Sequence, residues 1–88
     1  MTFVMSYSFQ PEKREACKAR HREIGRGKPP EGIKLLGQWT AVGDAKGVAV
    51  FESDDPMAMA RYVQAWSDLL SIEIYPAIDN EALAKVIG

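Results

Sequence analysis

Residues Thr2 to Phe9 alternate, with Phe3, Met5, Tyr7 and Phe9 on one side and Thr2, Val4, Ser6 and Ser8 on the other. That two-residue period predicts a strand with one apolar face. Pro11 suits the first position of a helix, and Glu12 to Arg26 is rich in helix formers before Gly25 and Gly27 offer a stop. The run Lys28-Pro29-Pro30-Glu31-Gly32 reads as a loop, because two prolines remove amide donors and fix φ. Ile33 to Val42 predicts a second strand and Gly47 to Ser53 a third, joined by the turn residues Gly43-Asp44-Ala45-Lys46 into a hairpin. Asp55 followed by Pro56 marks a helix start, a cap for orphan amides beside a residue that needs none. Met59, Tyr62, Val63 and Trp66 then recur at the i, i+3, i+4, i+7 spacing of a helix lying on a sheet. Leu69 to Ile78 predicts a fourth strand, and Asp79 caps a last short helix whose apolar side is Leu83, Val86 and Ile87. The order βαββαβ plus a terminal helix predicts an α+β, ferredoxin-like fold: a four-stranded antiparallel sheet in a single domain, residues 1–88.

Both main helices of such a fold cover one side of the sheet, so one set of alternating positions must be strongly apolar. Met5 and Tyr7, Val48 and Val50, and Leu70, Ile72 and Ile74 are the expected inner rows. The outer rows are then Val4, Ser6 and Ser8, Ala49 and Phe51, and Ser71, Glu73 and Tyr75. The second strand is ambiguous, since Leu35 and Trp39 share one row and Leu36, Gln38 and Thr40 the other. An outer face holding Phe51, Tyr75, Val4 and Trp39 is greasy for water, each large side chain gaining roughly 1.5 to 3 kcal/mol on burial. Ser6, Ser8 and Glu73 are wrong for a dry core, where an unpaired polar group costs about 1 to 3 kcal/mol. A second copy laid over this face reconciles the two, leaving a half-polar cavity; the plainer alternative is an open sheet with a few exposed aromatics.

At 88 residues and 47% hydrophobic, the chain hides only about 60% of its unfolded surface, which adds weight to a partner subunit. Eleven Lys and Arg against twelve Asp and Glu leave a net charge of −1, so no overall basic field collects nucleic acid or anionic membrane. No apolar run reaches the ~18 residues of a membrane span, the N-terminal residues do not read as a secretory leader, and a single cysteine, Cys17, forms no internal disulfide. A cytoplasmic setting is expected.

Several stretches together resemble a small bacterial family of unknown function within the dimeric α/β-barrel, ferredoxin-like group. They are the opening strand running into Pro11-Glu12-Lys13-Arg14, the segment from Pro30 to Trp39, Glu52-Ser53-Asp54-Asp55-Pro56, Trp66 to Leu70, and Glu73-Ile74-Tyr75-Pro76. The resemblance covers nearly the whole chain. It implies a homodimer whose two sheets wrap a barrel, and no established activity. It also implies a histidine after the tryptophan, where this chain has Thr40, and an aromatic where it has His21, so chemistry resting on that histidine does not carry over.

Candidate chemistry is sparse. Cys17 and His21 lie four apart on one helix face, but a zinc site needs two further ligands and the chain has no other Cys or His. No metal and no cofactor is expected. Lys46-Gly47-Val48-Ala49-Val50-Phe51 echoes the third-strand RNA-recognition motif, yet the positions that stack bases are Val48 and Val50, so no nucleic-acid partner is expected. Asp54 and Asp55 are explained by capping. Between Glu12 and Lys28, seven Lys or Arg face three Glu, a basic patch on an acidic body; its default is a solvated helix face, its alternative an anionic ligand or an acidic partner. Glu73, near Tyr75, Phe51 and Trp39 on the outer face, gains a raised pKa if its surroundings are partly dry. The leading expectation is thus a homodimer binding a small, partly aromatic molecule in a pocket of Ser6, Trp39, Phe51, Glu73 and Tyr75 between sheet and partner. Its rivals are a cofactor-independent oxygenase or isomerase using Glu73 or His21, and a pure protein-interaction module.

Overall fold

The computed structural model describes residues 1–23, 29–43 and 45–88. The chain runs β1 (Thr2–Ser8), a 3-10 turn (Pro11–Lys13), α1 (Arg14–Glu23), β2 (Lys34–Thr40), β3 (Lys46–Glu52), α2 (Pro56–Trp66), β4 (Ser71–Ala77) and α3 (Asn80–Ile87). Four strands form one antiparallel sheet in the order β2-β3-β1-β4, the ferredoxin-like arrangement expected. The proposed helix stop at Gly25 and Gly27, the loop residue Lys28 and the turn residue Asp44 lie outside the described residues. Pro76 sits on β4, at an edge of the sheet, where a missing amide breaks no internal ladder.

Both predicted caps form. The Asp55 carboxylate accepts from the Met57 and Ala58 amides at 3.0 and 3.2 Å, and Asp79 accepts from the Ala82 amide at 2.8 Å. Ser53, 4% exposed, locks the entry to α2: its hydroxyl donates to the Gly32 carbonyl at 2.8 Å and accepts from the Asp55 amide at 3.1 Å.

The core lies between the sheet and α2. It gathers Phe3 and Met5 from β1, Ala49 and Phe51 from β3, Ile33, and Ala58, Met59, Tyr62 and Trp66 from α2. Phe51, 1% exposed, meets Tyr62 edge to face with ring centroids 5.4 Å apart. This corrects the sequence reading of β3, which put Val48 and Val50 inside and Phe51 outside. Opposed residues of an antiparallel pair share a face, and here Met5 opposes Ala49, Phe3 opposes Phe51, and Ser6 opposes Val48. Phe51 therefore points under the helices, and the two valines point the other way.

The ambiguity of β2 also resolves. A bulge places Leu36 as an extra residue between Leu35 and Gly37, which reverses the alternation midway. Leu35 opposes Phe51 and packs on the core, whereas Trp39 opposes Val48 and is 58% exposed. Two residues of equal parity thus end on opposite faces.

No residue of α1 is buried. It is tethered by polar contacts at the α2–β4 connection. The Arg20 guanidinium grips the Asp68 carboxylate bidentately at 2.5 and 2.9 Å and donates to the Ala65 carbonyl at 2.8 Å, while Lys13 donates to the Asp68 carbonyl at 2.9 Å. The guanidinium also stands 5.8 Å from the Trp66 ring centre. The apolar side of α3 is uncovered, with Leu83, Val86 and Ile87 all exposed. No helix among the described residues is long and apolar enough to cross a membrane.

Candidate functional site

A cleft lies on the helix side of the sheet. It encloses about 490 Å³ between α1 and the ends of β1, β2 and β3. Because α1 sends no side chain into the core, a gap remains between it and the sheet, floored by Met5, Tyr7, Tyr62 and Trp66 with Leu70 at one end.

The position of Tyr7 is set by its cross-strand neighbours. Gly47 opposes it on β3 and carries no side chain, so the ring lies over the Gly47 backbone, where a Cβ would overlap it. The ring's outer end reaches β2, and the Gln38 side-chain amide donates to the Tyr7 hydroxyl at 2.8 Å. Thr40, opposite Gly47, continues the polar edge. Burial pushes the Tyr62 hydroxyl above its ordinary pKa, with a smaller contribution from Tyr7, so it stays a neutral phenol on the floor.

The α1 wall differs in character. Arg14, Cys17, Lys18, His21 and Arg22 all line the cleft, at the spacing of one helix face. Cys17 faces the Leu69 carbonyl at 4.0 Å, and burial raises its thiol pKa. The Arg14 guanidinium stands 5.7 Å from the Phe9 ring centre. Lys46 completes the mouth from β3. No Asp or Glu lines the cleft among the described residues, nor do three His, Cys, Asp or Glu side chains converge to hold a metal ion.

The residues singled out from the sequence lie elsewhere. Trp39, Val48, Ser6 and Glu73 form one continuous row across β2, β3, β1 and β4 on the open sheet face, and Tyr75 joins the adjacent row with Val4 and Val50. Four of the five candidates are thus brought onto one face. The fifth, Phe51, belongs to the core on the opposite side and lines neither surface. The open face stays uncovered in the single chain, with Trp39 58% and Tyr75 51% exposed and Glu73 exposed beside them. The cleft left two traces in the sequence, the basic run from Glu12 to Lys28 and the shared face of Cys17 and His21. The gap itself depends on how far α1 stands off the sheet, which no pattern records.

A search of curated proteins finds no match. Among solved structures, Rv0793 from Mycobacterium tuberculosis superposes with a TM-score of 0.56 at 13% identity, covering 90% of this chain and 96% of that one. A Deinococcus radiodurans structure described as a candidate antibiotic biosynthesis monooxygenase gives 0.49 at 16% identity, over 90% and 94% of the two chains. One from Nitrosomonas europaea, described in the same terms, gives 0.48 at 13% identity over 90% and 100%. At such identities the likeness is one of fold, carried here by the Mycobacterium structure. The sequence itself matches a domain family over its whole length, residues 1–88, and the chain belongs to that family, the domain of unknown function DUF3303.

Proposed function

We propose that this protein binds a small, partly aromatic molecule in the cleft between α1 and the sheet, and that it works as a pair of copies joined through the open sheet face. The observation that carries the reading is the cleft. Its volume of about 490 Å³ is of the size small-molecule sites have, roughly 300 to 1,000 Å³. Its floor is aromatic, and the Gln38–Tyr7 pair and Thr40 supply the few polar groups that orient a ligand. We assign no reaction to it, since no carboxylate stands beside His21 in the cleft among the described residues to orient it as a base.

The open face supports the paired arrangement. Val4, Val48, Val50, Trp39 and Tyr75 are contiguous across four strands rather than scattered. Contiguous apolar area of this kind favours association, whereas a lone exposed side chain does not. In this reading Ser6, Trp39, Glu73 and Tyr75 belong to the meeting of two copies, and the ligand sits on the far side of each sheet.

Thermal-shift screening with planar aromatic compounds, acids and neutral analogues alike, tests the cleft. Saturable stabilisation is expected from some members and is lost in Thr40→Phe, which fills the mouth from an exposed position. Undiminished stabilisation in Thr40→Phe, or no response to any compound, overturns the reading.

A further inference from the structure

We infer that the ligand of this cleft is an oxyanion: a planar apolar body bearing a carboxylate or similar acidic group, the ring on the floor and the acid against the α1 wall. The inference rests on the cleft reading above and adds to it the ligand's charge and orientation.

Charge is segregated on this molecule. The chain is slightly acidic, with twelve Asp and Glu against eleven Lys and Arg, so a random patch carries both signs. The cleft carries one. Arg14, Lys18, Arg22 and Lys46 border it, His21 stands among them, and no Asp or Glu lines it among the described residues. Of the α1 cations that line the cleft, Lys18 makes an ion pair, with Glu15 at 3.5 Å, an exposed contact that competes weakly with a ligand. Arg14 and Arg22 make none among the described residues. Arg20, by contrast, points away from this group and is fully engaged by Asp68, so the structural ion pair and the cleft cations are separate sets on one helix.

Concavity strengthens the effect. Charges of one sign around an apolar floor focus their field into the cleft and raise the local concentration of the opposite charge. The C-terminal end of α1 opposes this with a partial charge of about half an electron, which is outweighed by the full charges of Arg14 and Arg22. A guanidinium matches the two oxygens of a carboxylate or phosphate with two parallel hydrogen bonds, a match that a neutral ligand does not offer. The aliphatic stems of Arg14, Lys18 and Arg22 meanwhile extend the apolar wall, so the same side chains serve ring and acid. Floor and wall thus demand different ends of one molecule: aromatic below, anionic above.

The test compares two ligands of one shape. Calorimetric titration of the full chain with 2-naphthoate and with its neutral carboxamide is expected to show the acid binding about ten-fold or more tightly, with the acid's affinity falling as salt rises. In Lys18→Gln/Arg22→Gln, two exposed helix positions where glutamine is a good helix former, the acid-to-amide affinity ratio is expected to fall toward one. A ratio near one in the parent chain, or a ratio unchanged in the double variant, overturns the anion inference and leaves the cleft reading standing. If neither compound binds at millimolar concentration, the cleft reading falls for this ligand shape and the inference with it.

Discussion

Tyr7 lies across the backbone of Gly47, and the contact leaves no room for even a methyl group between them. Gly47→Ala must therefore swing the Tyr7 ring off β3, which breaks the hydrogen bond from Gln38 and changes the shape of the cleft floor. Overpacking costs typically 1 to 3 kcal/mol, and because the displaced atoms are the outer end of a ring that borders the open cleft, the loss is expected at the low end, about 1 kcal/mol. For a domain of this size each kcal/mol lowers Tm by about 4 to 8 °C. A thermal melt of Gly47→Ala is expected to show a loss in that range, and an unchanged Tm shows that the ring swings into the cleft without cost.

Ser53 ties the end of β3 to the loop before β2 and to the start of α2. Ser53→Ala leaves the Gly32 carbonyl and the Asp55 amide without the Ser53 hydroxyl. A buried orphan costs about 1 to 3 kcal/mol, and the access of water to the exposed Gly32 and Asp55 reduces the loss below that. Urea denaturation is expected to show a lower midpoint with an unchanged slope.

The Arg20–Asp68 pair makes a prediction in pH. Its hydrogen bonds hold the Asp68 carboxyl below its ordinary pKa, the Arg20 contact being the largest cause. A carboxylate depressed by folding contributes stability above its unfolded pKa, and that contribution is lost as pH falls through the lowered folded value. Asp68→Asn is expected to melt at lower temperature than the parent at pH 7, with the gap closing below about pH 4 and narrowing in high salt. A gap that persists at pH 2 places the cause in packing.

The open sheet face makes a prediction in mass. Val50 sits at the centre of that face on β3, between Gly37 of β2 and Val4 of β1. Val50→Glu adds a charge where two copies are proposed to meet and leaves the helix-side core untouched. Light scattering at micromolar concentration is expected to give two chains' mass for the parent and one for the variant. A parent of single-chain mass ends the paired arrangement.

How much of this was legible in the residues depends on contrast. β1 and β4 alternate between large apolar and small or charged side chains, so Phe3, Met5, Ile72 and Ile74 announce the core directly. The caps at Asp55 and Asp79 were equally plain. β3 is apolar on both faces, Val48 and Val50 against Ala49 and Phe51, and only its register with β1 decides between them. In β2 a single bulged residue, Leu36, reversed the parity and carried Trp39 away from Leu35. The candidate site was missed for a different reason. Its basic wall was visible as a charge run from Glu12 to Lys28, but a solvated helix and a cleft wall have the same sequence, and the aromatic floor was absorbed into the expected core.

α1 contributes nothing to the interior, yet it forms one whole side of the cleft. If the proposed binding mode holds, the charge that selects a ligand and the packing that holds the fold reside on different segments of the chain, although Met5, Tyr62 and Trp66 serve both floor and core. Exchanging charges along Arg14, Lys18, His21 and Arg22 would then retune what is recognised while Phe3 and Phe51 go on holding the scaffold. Such a division would let one small architecture diversify its choice of guest by substitutions on a single surface helix.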